Sequence, residues 1–204
     1  FYGESGGGWG TPTQEMVESY EYEEGGSVNW NTWHLTTQSI PPYERLEPRF
    51  HATILYNGAK WKGRTIETFV KGRDGFCAWN VEPEPQGRTT TGYYLRKNVD
   101  ESHDVIANPN SCIQPLTIMR YAEVLLNLAE AKAELGTLTQ TDIDNTVNVI
   151  RARAGVTGKL NMATANANPE PWIKGCYPYL AKLNPANLGV ILEIRRERTV
   201  ELVM

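Results

Sequence analysis

Apolar residues recur every three or four positions along the C-terminal half of the chain. This spacing is typical of a helix that packs one face against a neighbour. The pattern begins after Pro115, and Gly136 follows its last member as a glycine that ends a helix. The apolar row consists of Ile118, Ala122, Leu125, Ala129 and Ala133.

A second helical pattern begins a few residues later. Either Thr139 or Thr141 can cap its N-terminus, with Asp142 or Asp144 three positions on as the reciprocal partner. Its apolar row consists of Ile143, Val147, Ile150 and Ala154. Because the connection is short, we predict an antiparallel helix pair over residues 116–155.

A third helix is predicted from about residue 186 to the end of the chain. Its apolar and amphipathic positions are Leu188, Ile191, Ile194, Arg198 and Leu202. The segment between the pair and this helix is polar from Asn161 to Pro171 and contains Pro178 and Pro185, so no sustained helix is predicted there. The pattern stops in mid-helix at Met204, and the chain has no initiator Met, so we expect a piece of a longer protein.

Residues 1–114 form a loop-rich region, and residues 115–204 form a helical one. A short helix is predicted at Thr13-Gln14-Glu15-Met16-Val17, with Thr13 as its cap. A hairpin is predicted from Phe50–Tyr56, a turn at Asn57-Gly58 and a return over Trp61–Phe69. The proline at position 48 leaves open a helix over residues 48–54 instead. A short extended piece is expected at residues 93–97.

Composition excludes several classes of protein. The net charge of −4 provides no basic field for nucleic acid. No run of eighteen apolar residues is present, so no membrane span is predicted. The odd set of Cys77, Cys112 and Cys176 lacks zinc-ligand spacing, and whether any two form a disulfide depends on the compartment.

Catalytic motifs are absent from the sequence. His34, His51 and His103 lie in no nucleophile motif, and the glycines near the start are not followed by a phosphate-loop lysine, so no cofactor is predicted. Carboxylates occur in runs such as 21–24 and 100–104, which leaves a glycosidase as a minor alternative. We predict a protein that is not an enzyme.

A polar row follows a second face of the first helix of the pair. It is either a solvated face, a buried network that locks neighbouring helices, or a ligand site, and we favour the structural network. Its members are Arg120, Glu123, Asn127, Glu130 and Glu134.

Tryptophans lie among Gly, Asn, Pro and Thr in the N-terminal loops. A flat aromatic ring stacks on the apolar face of a sugar, while amide side chains bond the hydroxyls. The alternative is that these rings fill the core beneath long loops. The predicted ligand-binding residues are Trp9, Trp30 and Trp33 for stacking, with Asn29, Asn31 and Gln38 for hydrogen bonds.

Six blocks of the chain, in order, resemble the SusD/RagB family of surface nutrient-binding lipoproteins of Bacteroidetes. The central block runs from Arg120 to Gly136 as Arg-Tyr-Ala-Glu-Val-Leu-Leu-Asn-Leu-Ala-Glu-Ala, then Glu-Leu-Gly. The others are residues 12–21, Glu47-Pro48-Arg49-Phe50 with following residues to Gly58, Gly92 to Lys97, Asn148 to Gly155, and Glu197 to Leu202. Glu47 stands where the family usually has Asp, and Val203-Met204 departs from its usual continuation.

The resemblance implies a mainly α fold, a fragment of an α-α superhelix with tetratricopeptide-like helix pairs and a loop-rich subdomain containing short strands. It also implies a non-catalytic glycan-binding protein at the outer membrane, held by a lipid anchor outside this chain. Its partners would be an oligosaccharide or polysaccharide and a SusC-like TonB-dependent transporter. A peptide- or protein-binding helical scaffold is the alternative function. The family's motifs supply no ligand residue, so the site prediction depends on the loop aromatics alone.

Overall fold

The computed structural model describes residues 10–30, 42–75, 89–103, 107–108 and 117–203. The described chain is mainly helical with short strands, which confirms the predicted fold class. The helices are α1 Gln14–Glu18, α2 Pro48–Thr53, α3 Tyr121–Glu134, α4 Gln140–Asn145, α5 Val147–Arg153, α6 Met162–Ala167, α7 Pro171–Cys176, α8 Leu180–Leu183 and α9 Leu188–Leu202. The strands are β1 Ile54–Leu55, β2 Lys60–Trp61, β3 Arg64–Thr65 and β4 Tyr94–Leu95.

The chain divides into two compact units, each made of separate chain segments. The first unit takes the described residues of 10–17 and 50–108, and the second takes those of 18–49 and 117–203. We call the second the helical unit and the first the strand unit. The strand unit has a small core of Leu55, Trp61, Ile66 and Tyr94.

The predicted hairpin is wrong, although its turn is present. Residues 48–53 form α2, with proline in the first helical turn where its missing N–H is tolerated. β1 therefore starts only at Ile54, and it pairs antiparallel with β4. The Asn57-Gly58 turn leads from β1 to β2, and β2 pairs with β3 across a tighter turn at Lys62 and Gly63, both with positive φ. The extended piece predicted at residues 93–97 is confirmed as β4.

The helix over residues 14–18 begins as predicted, because the Thr13 hydroxyl oxygen accepts a hydrogen bond from the Met16 amide at 3.3 Å. In the helical unit, α3 ends at the predicted glycine, since Gly136 has a φ of 71°. The apolar row of α3 is buried at Ala129 and Ala133, but Ile118 precedes the helix and is exposed. The prediction for Ile118 is therefore wrong.

The second member of the helix pair is broken. Thr146 has φ −123° and ψ −84°, which is not helical, and it separates α4 from α5. Its hydroxyl donates to the Asp142 carbonyl oxygen at 2.6 Å, a local bond that competes with the helical pattern. The predicted single helix is therefore two shorter ones, while its apolar positions Ile143, Val147 and Ile150 are buried as expected.

Three short helices occupy the segment for which no sustained helix was predicted. α6 is capped by Asn161, whose side-chain oxygen accepts from the Thr164 amide at 3.0 Å. α7 is capped by Glu170, which accepts from the Ile173 amide at 2.7 Å. Each helix is too short to show a period, so capping residues were the available signal.

The predicted terminal helix is confirmed as α9, which supplies much of the core of the helical unit. Leu188, Val190, Ile191, Leu192 and Ile194 are all buried. α9 packs against α3 and α6. A Cβ at Gly189 would stand 1.8 Å from the Ala165 carbonyl oxygen of α6, so only glycine permits this approach.

Candidate functional site

The predicted ligand-binding loop lies partly within the described structure. Trp30 is 7% exposed, and its ring centroid is 6.4 Å from that of Tyr43. Asn29 is exposed beside it. Trp9, Asn31, Trp33 and Gln38 lie outside the described residues. The roles assigned to all six stay predictions.

The helical unit contains a buried ionic network that the sequence did not predict as a whole. We define it by residues that are all buried: Glu21, Glu47, Arg49, Arg151, Arg196, Glu197 and Glu201. Each member comes from a segment distant in sequence from most of the others. Buried charges are costly unless they are paired, so the contacts within the network decide whether it stabilises the unit.

Arg49 connects the start of α2 with α9. Its Nε donates to Glu47 Oε2 at 2.6 Å, and its Nη1 donates to Glu197 Oε1 and, at 3.3 Å, to Glu201 Oε2. The charges of Glu197 and Glu47 raise the pKa of Arg49 although burial alone would lower it. Burial raises the pKa of the Glu47 carboxyl, and the attraction of Arg49 offsets only part of that effect.

Glu21 is shared by two guanidinium groups. Arg151 Nη1 donates to Glu21 Oε2 at 2.6 Å and to Glu197 Oε2 at 3.0 Å, while Arg196 Nη2 lies 2.8 Å from Glu21 Oε1. Burial alone would raise the pKa of Glu21, but the charges of Arg196 and Arg151 outweigh it and lower the pKa to about 2. Glu21 is therefore ionised at neutral pH.

The polar row of α3 is paired with α9. Arg120 Nη1 donates to Glu201 Oε1 at 2.7 Å, and Arg195 lies 3.0 Å from both Glu130 and Glu134. Arg198 donates to Asn127 and lies 3.9 Å from Glu123. These pairs with α9 support the structural interpretation of the row, but Asn127 and Glu134 are exposed, so the row is not a buried network. The partners of the row come from α9.

A cleft of about 520 Å³ opens beside the ionic network within the helical unit. We call it the helical-unit cleft. It lies between the turn at residues 24–27, the segment 158–161, helix α6, the start of α7 and one face of α9. Its charged lining residues are Arg151, Lys159 and Arg196, with Glu21, Glu24, Glu170 and Glu193.

A second cleft of about 520 Å³ lies in the strand unit. Its wall includes His51, Trp61, Arg96 and Glu101. The Arg96 guanidinium carbon is 5.5 Å from the centroid of Trp61, and Trp61 is only 1% exposed. The face of Trp61 is thus covered by Arg96 instead of being presented to a ligand.

Metal-ligating groups, long apolar helices and cysteines are further features that could carry a function. The described residues contain no group of three or more His, Cys, Asp or Glu side chains placed to hold a metal ion. None of the described helices is long and apolar enough to cross a membrane. Cys176 has an exposed, free thiol, while Cys77 and Cys112 lie outside the described residues.

Comparison with known proteins places the chain in a family. The model of the SusD family matches residues 2–204. The chain belongs to the SusD family. No curated protein matches the sequence.

Two solved structures resemble this SusD-family chain. One is a SusD-like carbohydrate-binding protein from Bacteroides fragilis NCTC 9343, with 25% identity and a TM-score of 0.59, covering 94% of this chain and 33% of that one. The other is the selenomethionine form of BT4246, with 22% identity and a TM-score of 0.58, covering 93% of this chain and 35% of that one. The chain thus spans about a third of the length of these relatives.

Several members of the ionic network lie in the blocks that carry the family resemblance. They include Glu21, Arg49, Arg151 and Glu197. Their spacing along the chain gave no sign that they meet, because up to 148 residues separate the members of one pair. The resemblance was the one available signal for them, and it indicates structural positions, not ligand contacts.

Proposed function

We propose that this SusD-family chain takes part in binding oligosaccharides or polysaccharides at a bacterial cell surface. In this proposal it acts without catalysis, as part of a lipid-anchored outer-membrane protein that passes its ligand to a SusC-like TonB-dependent transporter. The observation that carries the proposal is the family match over residues 2–204. The similarity to a SusD-like carbohydrate-binding protein supports it.

The ionic network supports a non-catalytic role. An acid or base in hydrolysis needs a carboxyl group that can reach the substrate and exchange a proton near neutral pH. Glu21 and Glu197 are instead held by Arg49, Arg151 and Arg196, and the pKa of Glu21 is about 2. Such groups fix the positions of helices and loops, which suits a rigid binding surface.

The loop residues remain our proposed ligand contacts. Trp33 and Trp9 would stack on sugar rings, and Asn29, Asn31 and Gln38 would bond hydroxyls. Trp30 belongs to the same proposal, and its 7% exposure means that it needs a rearrangement of the loop to present a full ring face. A Trp30 variant therefore has to be judged on stability as well as on binding.

The test is isothermal titration of the full chain with oligosaccharides selected on a glycan array. We expect Trp33→Ala to weaken binding about tenfold or more, equivalent to about 1.4 kcal/mol. Tyr179→Ala is the matched control, because Tyr179 is an exposed aromatic residue outside the loop. Trp30→Ala is compared by melting temperature and by titration. Unchanged affinity in Trp33→Ala would exclude Trp33 as a ligand contact. Release of reducing sugar from the ligands would contradict the non-catalytic role.

A peptide- or protein-binding scaffold remains the second candidate. One observation favours it: Tyr121, Val124 and Leu128 are exposed at helical spacing on α3. Exposed apolar rows of this kind mark protein contacts. Binding of a peptide library, lost in Leu128→Ser and retained in Tyr179→Ala, would support this function over glycan binding.

A further inference from the structure

The helical-unit cleft contains hydrogen-bonding capacity that the protein itself does not use. Arg151 donates through Nε to the Gly158 carbonyl oxygen at 2.8 Å and through Nη1 to Glu21 and Glu197. Among the described residues, its Nη2 has no hydrogen-bond acceptor, although the side chain is only 5% exposed. This nitrogen is not one of the fully buried polar atoms without a hydrogen-bond partner, so it meets solvent in the cleft, where its N–H groups can donate to a ligand.

An acceptor lies on the α9 side of the same cleft. Arg196 donates to Glu193 through Nε at 3.0 Å and Nη2 at 2.7 Å, and both bonds end on Oε2. Within the described part of the chain, Glu193 Oε1 receives no hydrogen bond. The cleft therefore offers a fixed donor and a fixed acceptor, each held in place by ion pairs deeper in the network.

The charges of the residues that line the cleft favour a neutral ligand. The cationic residues Arg151, Lys159 and Arg196 are nearly balanced by acidic ones, so no strong net field favours an anion or a cation. A hydroxyl group accepts one hydrogen bond and donates another, which matches a lining that presents both kinds of partner. The described residues that line the cleft include no aromatic ring, so a ligand here would be held by hydrogen bonds.

The space beside Arg151 is kept open by glycine. Gly25 has a φ of +88°, and a Cβ there would stand 3.4 Å from Arg151 Nη2 and 3.2 Å from the Gly158 Cα. Any side chain at position 25 would thus be strained and would crowd the free donor. The volume of about 520 Å³ is in the range of small-molecule sites and accommodates one or two sugar rings.

We propose that the helical-unit cleft is a second ligand site, which binds a neutral sugar unit through its hydroxyl groups. Arg151 Nη2 donates to the sugar, and Glu193 Oε1 accepts from it. The cleft is lined by residues other than the six proposed loop contacts, and its sugar ligand rests on the proposed function. A glycan that spans both sites would gain affinity from each contact.

The test uses a substitution that fills the cleft from its exposed rim. Thr164 lines the cleft on α6 and is exposed, whereas Ala163 is exposed on the same helix and is not among the lining residues. We compare Thr164→Tyr with Ala163→Tyr in the full chain. Each variant is titrated calorimetrically with maltose, cellobiose and lactose, and with digalacturonic acid and the glucosamine disaccharide as anionic and cationic probes.

We expect a neutral disaccharide to bind the wild type, to lose at least about tenfold in affinity in Thr164→Tyr, and to bind Ala163→Tyr as it binds the wild type. Equal affinity in both variants would overturn the cleft site while leaving the proposed function intact, because Trp33→Ala would still weaken glycan binding. Preference for either charged probe would overturn the neutral ligand class. Binding of none of these disaccharides by the wild type would overturn this site, and binding of no oligosaccharide on the glycan array would overturn the proposed function with it.

Discussion

Glu21 carries one negative charge that two buried guanidinium groups share. Its two carboxylate oxygens lie 2.6 Å and 2.8 Å from nitrogens of Arg151 and Arg196. Removing one partner of a buried ion pair leaves the other charges without compensation, and that costs more than the pair itself contributes. The residue is therefore the point at which loss of a single charge affects the network most.

We expect Glu21→Gln to lower the free energy of unfolding at pH 7 by about 3 kcal/mol or more. The folded pKa of about 2 lies below the ordinary value of 4.5, so the contribution of Glu21 is fully present above pH 4.5 and is lost as the pH falls toward 2. The difference in the free energy of unfolding between the wild type and Glu21→Gln should therefore become smaller below pH 4.5. Urea denaturation at pH 7, 4.5 and 3 measures it.

Two other carboxylates act as controls for this pH dependence. Glu24 pairs with Arg45 at 3.0 Å on the surface, so Glu24→Gln should change stability little at any of the three pH values. Burial raises the pKa of Glu47, so its charged form is disfavoured in the fold and Glu47→Gln should cost less at pH 7 than Glu21→Gln. A Glu21→Gln effect that is the same at pH 3 as at pH 7 would contradict the assigned ionisation.

At the scale of the element, the start of α4 depends on one threonine. Thr139 Oγ1 accepts from the Asp142 amide at 3.2 Å, and Asp142 Oδ2 accepts in return from the Thr139 amide at 3.0 Å. We expect Thr139→Ala to lower the free energy of unfolding by about 1 kcal/mol, the usual contribution of an N-cap. Thr141→Ala, two residues on and exposed, is the matched control and should change it little. Thermal unfolding measures both, and equal losses would contradict the cap.

The same segment shows which features of a helix a sequence pattern can predict. The sequence placed the cap at Thr139 or Thr141 and the stop at Gly155, because both signals are local. It did not reveal the break at Thr146, where a hydroxyl bonded to the Asp142 carbonyl oxygen replaces a helical bond. A threonine hydroxyl can form the same bond within an unbroken helix, so the presence of threonine alone does not indicate an interruption.

The pairing of the strands was predicted wrongly for a different reason. Asn57-Gly58 does form a turn, but β1 on its N-terminal side pairs with β4, about forty residues away along the chain. A strand of two residues is too short to show an alternation of apolar and polar positions, and its pairing depends on contacts that are distant in sequence. The local hairpin signal therefore predicted the turn and assigned the wrong partner strand.

At the scale of the whole molecule, the blocks that identify the family meet in one place. Five of the six blocks contribute to this place, through Glu21, Glu47 with Arg49, Arg120, Arg151, and the pair Glu197 and Glu201. Glu47, Arg49, Arg120 and Arg151 each bond to at least one of Glu21, Glu197 and Glu201. The sequence could therefore identify the scaffold but not the ligand contacts. The ligand contacts that we propose belong to a loop, and a loop has no period or cap that predicts its shape.

The network also predicts which part of the molecule is destabilised when one of its charged groups is removed. Every described contact of Glu21 lies within the helical unit. The strand unit has its own partly buried ion pair, in which Arg64 donates to both oxygens of Asp74 at 2.6 Å and 2.5 Å. Each unit is therefore stabilised by its own ionic group and its own apolar core.

We expect amide hydrogen exchange to separate the two units. Glu21→Gln should accelerate exchange in residues 18–30 and 117–203, and Asp74→Asn should accelerate it in residues 50–75 and 89–103, because each variant raises the population of locally opened states only where its contacts lie. Mass spectrometry of peptic fragments after exchange measures both variants against the wild type, and each serves as the control for the other. Equal acceleration throughout the chain in either variant would show that the two units unfold as one, in which case the ionic network would stabilise the strand unit as well.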